Sequence, residues 1–421
     1  MTIETLSPIH IGSGEEYEPY NFAIDEREEK LYYFGEDLAR IFMNRPDLLP
    51  PSIFMNPNAP WTVHAHLTRL IENLKPFAVY SVKVAPGLVR KHRDVLRRET
   101  EFRRIEGQQQ SQFQLKRHVR RQAKVKGKYT QSAYIPGSSL KGALSTPLQT
   151  LFLREYGKRE WWKMFGSDFR NGEDPTSRLA KCIKVSDTTL VTKPEEEIGF
   201  AISVPRFRHT PTGRSIPVYV EVAKKGKWRT QITLNDECFK LVDRGNVSKI
   251  KGVSLLKIEK LVQAVNSHYI PLLESQIKEH DLMTKLFRNV PRADKKHYRE
   301  FVEWVLRERD NPKNFTPHRK HDYTRKYLQD SFVTKALQKI KEVERINSAG
   351  RKKWAMIMRV GRFTQSRGMT IEDLRTVEIR NPRKRTSYWA DNETTFWGYS
   401  GSERREELLP FGWIVCTLEE L

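Results

Sequence analysis

Several features that define common protein classes are scarce or missing in this chain of 421 residues. Its three cysteines, Cys182, Cys238 and Cys416, are too scattered for a disulfide framework or a zinc site. No apolar run is long enough to span a membrane, and the run Met1–Ile11 does not resemble a signal peptide. We therefore expect a cytoplasmic protein that has no cofactor, no bound metal and no membrane contact.

Acidic residues are missing from one long stretch of the chain. No Asp or Glu occurs between Glu106 and Glu155, and the formal net charge of the whole chain is +23. The segment Arg90–Lys128 holds fourteen Lys or Arg against four acids, a net of +10, and Arg351–Arg385 holds eleven against three. Charge runs often lie on solvated surfaces, but tracts of one sign on this scale favour a polyanion, and nucleic acid above all, as the partner.

The most informative motif runs from Tyr134 to Leu144 and predicts a strand, a sharp turn and a helix. Ser138 or Ser139 is expected to cap the helix. The start of the helix suits a phosphate, because unpaired N–H groups and the positive end of the helix dipole lie there. Lys141 adds a full charge there, and Gly137 permits a close backbone approach. The spacing is not that of a Walker loop. We predict that Gly137, Ser138, Ser139 and Lys141 contact RNA.

Further candidate RNA contacts lie in three other segments. The basic segment before the motif contributes Lys116, Arg117, Arg120, Arg121 and Lys124. A polar stretch between two predicted strands, which is expected to form a protruding hairpin, contributes Arg206, Arg208 and Arg214. The second basic tract and its loop contribute Arg359, Arg362 and Arg367.

The hydrophobic pattern divides the chain into three parts. Residues 1–254 predict short strands and helices of an α+β core with the basic segment. Residues 255–346 have helical spacing and predict a helical insertion, which we expect to serve assembly. Strands return in residues 347–421, which we expect to complete the core and to include a loop at Gly361–Gly368.

Five separated motifs together resemble one protein family. They are Leu6–Glu16, Ile135–Gly142, the pair Phe165–Asp168 and Val185–Thr188, the loop Gly361–Gly368, and Pro410–Trp413. In this order they resemble the RAMP superfamily of CRISPR proteins, and within it the fifth subunits of type III-A Csm effector complexes.

The resemblance implies a fold and a set of partners. The fold would be a ferredoxin-like (RRM-like) core with a projecting β-hairpin thumb, here Ile198–Val222, and the helical insertion. The chain would bind guide RNA (crRNA) and target RNA, cap the effector filament in antiviral defence, and contact the backbone and small helical Csm subunits. Whether it recruits trimming nucleases stays open. The loop Gly361–Gly368 is less rich in glycine than is usual in this superfamily.

The same resemblance bears on catalysis. Related backbone subunits cut target RNA with an aspartate shortly before the motif, whereas Arg120–Gln131 holds no carboxylate here. We therefore expect a non-catalytic subunit, with Asp168 and Asp187 holding turns through backbone N–H groups. Two alternatives remain: a guide-processing endoribonuclease using His10, His118 or His209, and a scaffold that binds no nucleic acid.

Overall fold

A computed structural model describes most of the chain. The described residues are 1–35, 43, 59–101, 113–125, 128–165, 183–205, 217–234, 257–287, 328–350, 352–364, 369–370, 377–381, 386–390, 395–402 and 408–420. No helix among them is long and apolar enough to cross a membrane.

The described residues form an α/β structure with many short strands. The strands are β1 Thr2–Thr5, β2 Gly12–Tyr17, β3 Phe22–Asp25, β4 Lys30–Tyr33, β5 Tyr80–Val84, β6 Leu115–His118, β7 Arg120–Val125, β8 Lys128–Ala133, β9 Ile183–Val185, β10 Thr189–Pro205, β11 Val218–Arg229, β12 Ile232–Leu234, β13 Lys353–Arg359, β14 Val377–Asn381, β15 Thr386–Ala390, β16 Thr395–Ser400, β17 Leu409–Pro410 and β18 Trp413–Glu419. The helices are α1 Ala59–Arg69, α2 Ile71–Leu74, α3 Pro86–Glu101, α4 Gly137–Phe165, α5 Ile258–Phe287 and α6 Asp330–Ser348, with 3₁₀ turns at Lys75–Phe77 and Arg362–Thr364.

One large mixed sheet organises the fold. Its main path runs β13-β18-β1-β11-β10-β5-β4-β3, and β2, β6, β16 and β17 join beside this path. Most neighbours are antiparallel, but β5 pairs with β10 and β6 pairs with β11 in parallel. The long strands β10 and β11 form the central hairpin, and they run toward the segment in which the sequence predicts a protruding hairpin.

The helices of the predicted insertion belong to the main hydrophobic core. Both α5 and α6 pack against β13, and α4 packs against α5. Tyr269 of α5 is fully buried and donates a hydrogen bond from its hydroxyl to the carbonyl of Ala143 in α4 at 3.0 Å. The described parts of residues 255–346 therefore complete the core. The sequence prediction that this insertion serves assembly stays a prediction.

Two asparagines cover the outer edge of β13. Asn347 of α6 accepts the Ala355 N–H at 2.8 Å and donates to the Ala355 carbonyl at 2.8 Å. Asn266 of α5 donates to the same carbonyl at 3.0 Å and accepts the Ile357 N–H at 3.1 Å. These amides provide the hydrogen bonds that a further strand would otherwise make.

A second, smaller core lies at the opposite end of the sheet. Helices α1 and α2 cover β3 and β4, and their contact buries Ala23, Phe34, Val63, Leu67 and Leu74. The stretch before the Tyr134–Leu144 motif forms the β7–β8 hairpin, a two-stranded sheet of its own.

Candidate nucleic-acid interface

Helix α4 begins two to three residues earlier than a cap at Ser138 or Ser139 would place it. The Pro136 carbonyl accepts hydrogen bonds from the N–H groups of Ser139 at 3.0 Å and Leu140 at 3.3 Å, so Pro136 occupies the capping position. The predicted serine cap is therefore wrong. A carboxylate from another segment takes its place: Asp187 Oδ1 accepts the Gly137 N–H at 2.7 Å.

The segment Val185–Thr188 fixes the turn that precedes this helix. Thr188 accepts the Ile135 N–H on its hydroxyl at 2.9 Å, and its own N–H donates to the Ile135 carbonyl at 3.2 Å. A Cβ atom at Gly137 would collide with the Val185 carbonyl, so only glycine fits there. The expectation that Asp187 holds a turn is confirmed, whereas Asp168 lies outside the described residues.

A cleft of about 640 Å³ opens beside the start of helix α4. Three segments line it: Gly12 and Gly14 at the start of β2, the first turns of α4 with Ser138 and Ser139, and the loop that follows β13. Ser138 is exposed and Ser139 is half-buried. The cleft therefore brings together parts of three motifs that lie far apart in the sequence.

The loop after β13 rests on the backbone of His10. Gly361 has a positive φ of +94°, and a Cβ atom there would strike the His10 carbonyl. The same carbonyl accepts the Arg362 N–H at 3.0 Å. Glycine at position 361 thus allows the loop to lie directly on the opening segment, and it places Arg362 on the cleft wall.

Arg359 has a structural place in this loop. Its side chain is buried, and its guanidinium donates to the carbonyls of Phe411 at 2.9 Å, Thr364 at 3.0 Å and Phe363 at 3.1 Å. Three carbonyl partners hold the loop and β18 together. We therefore remove Arg359 from the predicted RNA contacts, because its charged group is enclosed by protein.

Glutamates from distant segments neutralise much of the predicted basic patch. Lys116 pairs with Glu16, and Arg117 pairs with Glu15. The Arg117 guanidinium also lies over the Tyr33 ring, 4.4 Å from its centroid. Because glutamates compensate their charges, Lys116 and Arg117 are less available to phosphates than the sequence suggests.

Arg120 is almost completely enclosed. Its side chain is 3% exposed, and it pairs with Glu221, which is 0% exposed, and with Glu196 at 2.7 Å. Glu221 also accepts the Tyr17 hydroxyl at 3.0 Å and the His118 N–H at 2.9 Å. Burial by itself would raise the pKa of Glu221, but Arg120 outweighs it and holds that pKa below its usual value. We therefore reassign Arg120 from RNA contact to structural anchor of the β7–β8 hairpin.

Three of the predicted cations have no carboxylate partner among the described residues: Arg121, Lys141 and Arg362. The Arg121 guanidinium lies 5.4 Å from the centroid of the Tyr134 ring, two residues before Pro136. Lys141 is the fifth residue of α4, and Arg362 is exposed on the cleft wall. These three cations flank the start of α4 and are the ones available to phosphates.

The remaining candidate RNA contacts have side chains outside the described residues. The backbone of Lys124 belongs to β7, but its side chain lies outside the described residues, as do Arg206, Arg208, Arg214 and Arg367. They stay predictions.

The two described candidate histidines are buried beneath the cleft. His10 Nδ1 lies 2.7 Å from the Glu221 carbonyl, so it must donate to it. His118 Nδ1 accepts the Ile11 N–H at 3.1 Å. Burial lowers the pKa of His10 to about 4 and that of His118 to about 3, so both rings are neutral near neutral pH. His209 lies outside the described residues.

Sequence reasoning missed the acids that organise this site. Glu221 interrupts the apolar first half of strand β11, Val218–Ala223, and an acid in such a run indicates a buried partner. Glu196, on the neighbouring strand β10, accepts the Ala133 N–H at 2.7 Å. In the part of the chain that the structure describes, no three His, Cys, Asp or Glu side chains are placed to hold a metal ion.

Comparison with known proteins identifies the family and the fold. A family model described as "RAMPs: RAMP superfamily" matches residues 2–412. A chain of a type III-A Csm–crRNA–target RNA ternary complex is similar in structure, with a TM-score of 0.51, 16% identity and 98% of both chains covered. The structure of Csm5 from T. onnurineus aligns with a TM-score of 0.46 and 16% identity over 99% of this chain and 100% of that one. No curated protein is significantly similar in sequence. At these identities the structural likeness is one of fold.

Proposed function

This chain belongs to the RAMP superfamily, and on that premise we propose that it is a non-catalytic guide-RNA-binding subunit of a type III-A CRISPR effector complex. Its RNA would be crRNA, with target RNA paired to it, and its role would be to cap the effector filament in antiviral defence. Guide maturation would depend on this cap, because a cap protects the end that it covers.

The observation that carries the proposal is a group of three cations, of which Arg362 lines the cleft and Arg121 and Lys141 belong to the segments at the start of α4. Arg121, Lys141 and Arg362 have no carboxylate partner among the described residues, although glutamates pair with their basic neighbours. The Ser138 N–H has no hydrogen-bond acceptor among the described residues, and Ser138 lines the cleft together with Arg362. Phosphate oxygens are the ligands that such an arrangement binds best.

The family also suggests how the rest of the chain is used. We propose that β1, α4, β10 and β11 belong to a ferredoxin-like core and that Ile198–Val222 is the thumb, with Arg206, Arg208 and Arg214 toward RNA. The chain then consists of three consecutive parts, residues 1–254, 255–346 and 347–421. We propose that the middle part lies beside other Csm subunits.

Burial of the histidines supports the non-catalytic assignment. A metal-free ribonuclease needs a histidine that exchanges protons with RNA near neutral pH. His10 and His118 are 1% exposed, and their pKa values lie at about 4 and about 3. The endoribonuclease alternative therefore depends on His209 or on acids such as Asp168 and Asp187.

The test is RNA binding as a function of salt. The triple variant Arg121→Ala, Lys141→Ala, Arg362→Ala should flatten the slope of log affinity against log salt by about 2, since each phosphate contact to a single strand contributes about 0.7. The matched control removes three surface lysines that have glutamate partners, Lys30, Lys260 and Lys353, and should keep the slope.

Other results would contradict the proposal. An equal loss of slope in both triple variants would mean that only total charge matters. Cleavage of labelled guide precursor by the purified protein, abolished by Asp168→Asn or Asp187→Asn, would favour the endoribonuclease. A wild-type protein that binds no RNA at low salt would favour the scaffold alternative.

A further inference from the structure

One large apolar side chain stands exposed on the wall of the cleft. Met369 is 62% exposed and lines the cleft together with Ser138, Ser139 and Arg362. Its backbone is tied to α4, because the Thr146 hydroxyl donates to the Met369 carbonyl at 3.3 Å. Single exposed apolar residues are common on protein surfaces, so its place inside the cleft is the informative fact.

The two ends of the cleft differ in chemistry. Ser139 and Thr146 are seven residues apart on α4, which separates them by roughly 10 Å along the helix axis. The end near Ser138 and Ser139 offers the start of the helix, the end near Thr146 offers the Met369 side chain, and Arg362 adds a positive charge to the lining. A nucleotide has the same polarity, with an anionic phosphate at one side and a flat apolar base at the other.

Space between the two ends is available. A Cβ atom built at Gly142, midway along the wall, would meet nothing within 4 Å. The cleft volume of about 640 Å³ lies within the range that holds small ligands, roughly 300–1,000 Å³.

We propose that this cleft holds one unpaired nucleotide of RNA, with its phosphate at Ser138, Ser139 and Arg362 and its base against the Met369 thioether. This inference rests on the proposed RNA-binding function and adds that the bound nucleotide is unpaired. A base inside a duplex is stacked on both faces, so only an unpaired base can present a face to Met369. Thioether sulfur makes favourable contacts with aromatic rings.

The experiment measures affinity for three short RNAs of equal length. They are oligoadenylate, an abasic ribose-phosphate strand and an oligoadenylate–oligouridylate duplex. Met369→Ala should lower the affinity for oligoadenylate about two- to tenfold. It should leave the affinity for the abasic strand and the duplex unchanged, because neither presents an unpaired base.

Three control variants separate the possible causes. Met369→Leu retains apolar bulk and should keep most of the affinity for oligoadenylate. Leu337→Ala removes another exposed apolar side chain, on α6 and away from the cleft lining, and should have no effect. Arg362→Ala removes the phosphate partner and should weaken binding of oligoadenylate and of the abasic strand alike.

The outcomes distinguish this inference from the proposed function. If Met369→Ala weakens all three RNAs equally or none of them, while Arg362→Ala still weakens binding, the base contact is wrong and the RNA-binding function stands. If wild-type protein binds none of the three at low salt, both fail.

Discussion

Arg120 and Glu221 form a buried ion pair at the base of the β7–β8 hairpin, with Arg120 Nε 2.9 Å from Glu221 Oε1. The two residues are 101 positions apart in the sequence. The Arg120 guanidinium also lies 3.9 Å from the centroid of the Tyr80 ring. The pair joins the hairpin to the central strand β11, so the most basic segment of the chain is anchored by an acid.

Breaking this pair should destabilise the protein strongly. Arg120→Met leaves the buried Glu221 carboxylate uncompensated, and we expect a loss of about 3–5 kcal/mol in the free energy of unfolding. Urea unfolding measures this loss of stability. The double variant with Glu221→Leu should recover part of the loss, since no charge then stays buried. Lys116→Met, which breaks a more exposed pair, should cost under about 1 kcal/mol. Lost RNA binding at unchanged stability would instead make Arg120 a phosphate contact.

Lys141 should contribute to RNA binding and not to stability. Its charge has no carboxylate partner among the described residues, and it is the fifth residue of α4. Lys141→Ala should weaken binding of single-stranded RNA by roughly 1–2 kcal/mol, the range of a charge-assisted hydrogen bond. Filter binding and thermal unfolding measured on the same preparation separate the two effects. A lower melting temperature with unchanged binding would leave Lys141 a structural role only.

Asp187 should act as the cap of helix α4. Asp187→Ala removes the acceptor of the Gly137 N–H and should cost about 1 kcal/mol, the usual effect of losing a cap. Asp187→Asn keeps an acceptor oxygen and removes an anion beside the phosphate site, so it should retain stability and bind RNA at least as well as wild type. Weaker RNA binding by Asp187→Asn would contradict this assignment.

Acid should destabilise the packing of α1 on α3 through a histidine pair. His64 Nδ1 lies 2.8 Å from the Pro19 carbonyl and must donate, so His64 Nε2 accepts from His92 Nε2 at 2.6 Å. Burial lowers the pKa of His64 to about 4 and that of His92 well below its usual value. Both folded-state values are depressed, so the unfolded chain binds more protons below about pH 6.5.

Stability should therefore be full above about pH 6.5 and fall as the pH drops toward about 4. His64 alone accounts for a loss on the order of 3 kcal/mol, because each pKa unit corresponds to about 1.4 kcal/mol. The midpoints of urea unfolding, measured at two pH values, check this loss of stability. The variant His64→Leu, His92→Leu should show a shallower dependence, and the remainder should come from His10 and His118, whose pKa values are lowered in the same way. An equally steep dependence in this variant would exclude the pair.

Local sequence signals predicted the local structure well and the charge state of the site poorly. The turn at Pro136 and the helix after it follow from short-range patterns. Four glutamates that neutralise the basic segment lie far away in the chain, at positions 15, 16, 196 and 221. A run of one sign cannot reveal partners that only the fold brings near. Asp187 was expected to hold a turn, but the N–H that it accepts could not be assigned for the same reason, since Gly137 is 50 residues away.

The asparagines along β13 limit how this molecule can meet its neighbours. With the Ala355 N–H and carbonyl and the Ile357 N–H already bonded to Asn266 and Asn347, β13 cannot act as a template for an incoming strand. Another chain that approaches this flank meets helix surfaces of α5 and α6 instead of open backbone. A partner at this flank is therefore recognised by side chains, which select it by shape and charge. A bare strand edge, by contrast, would pair with almost any extended peptide.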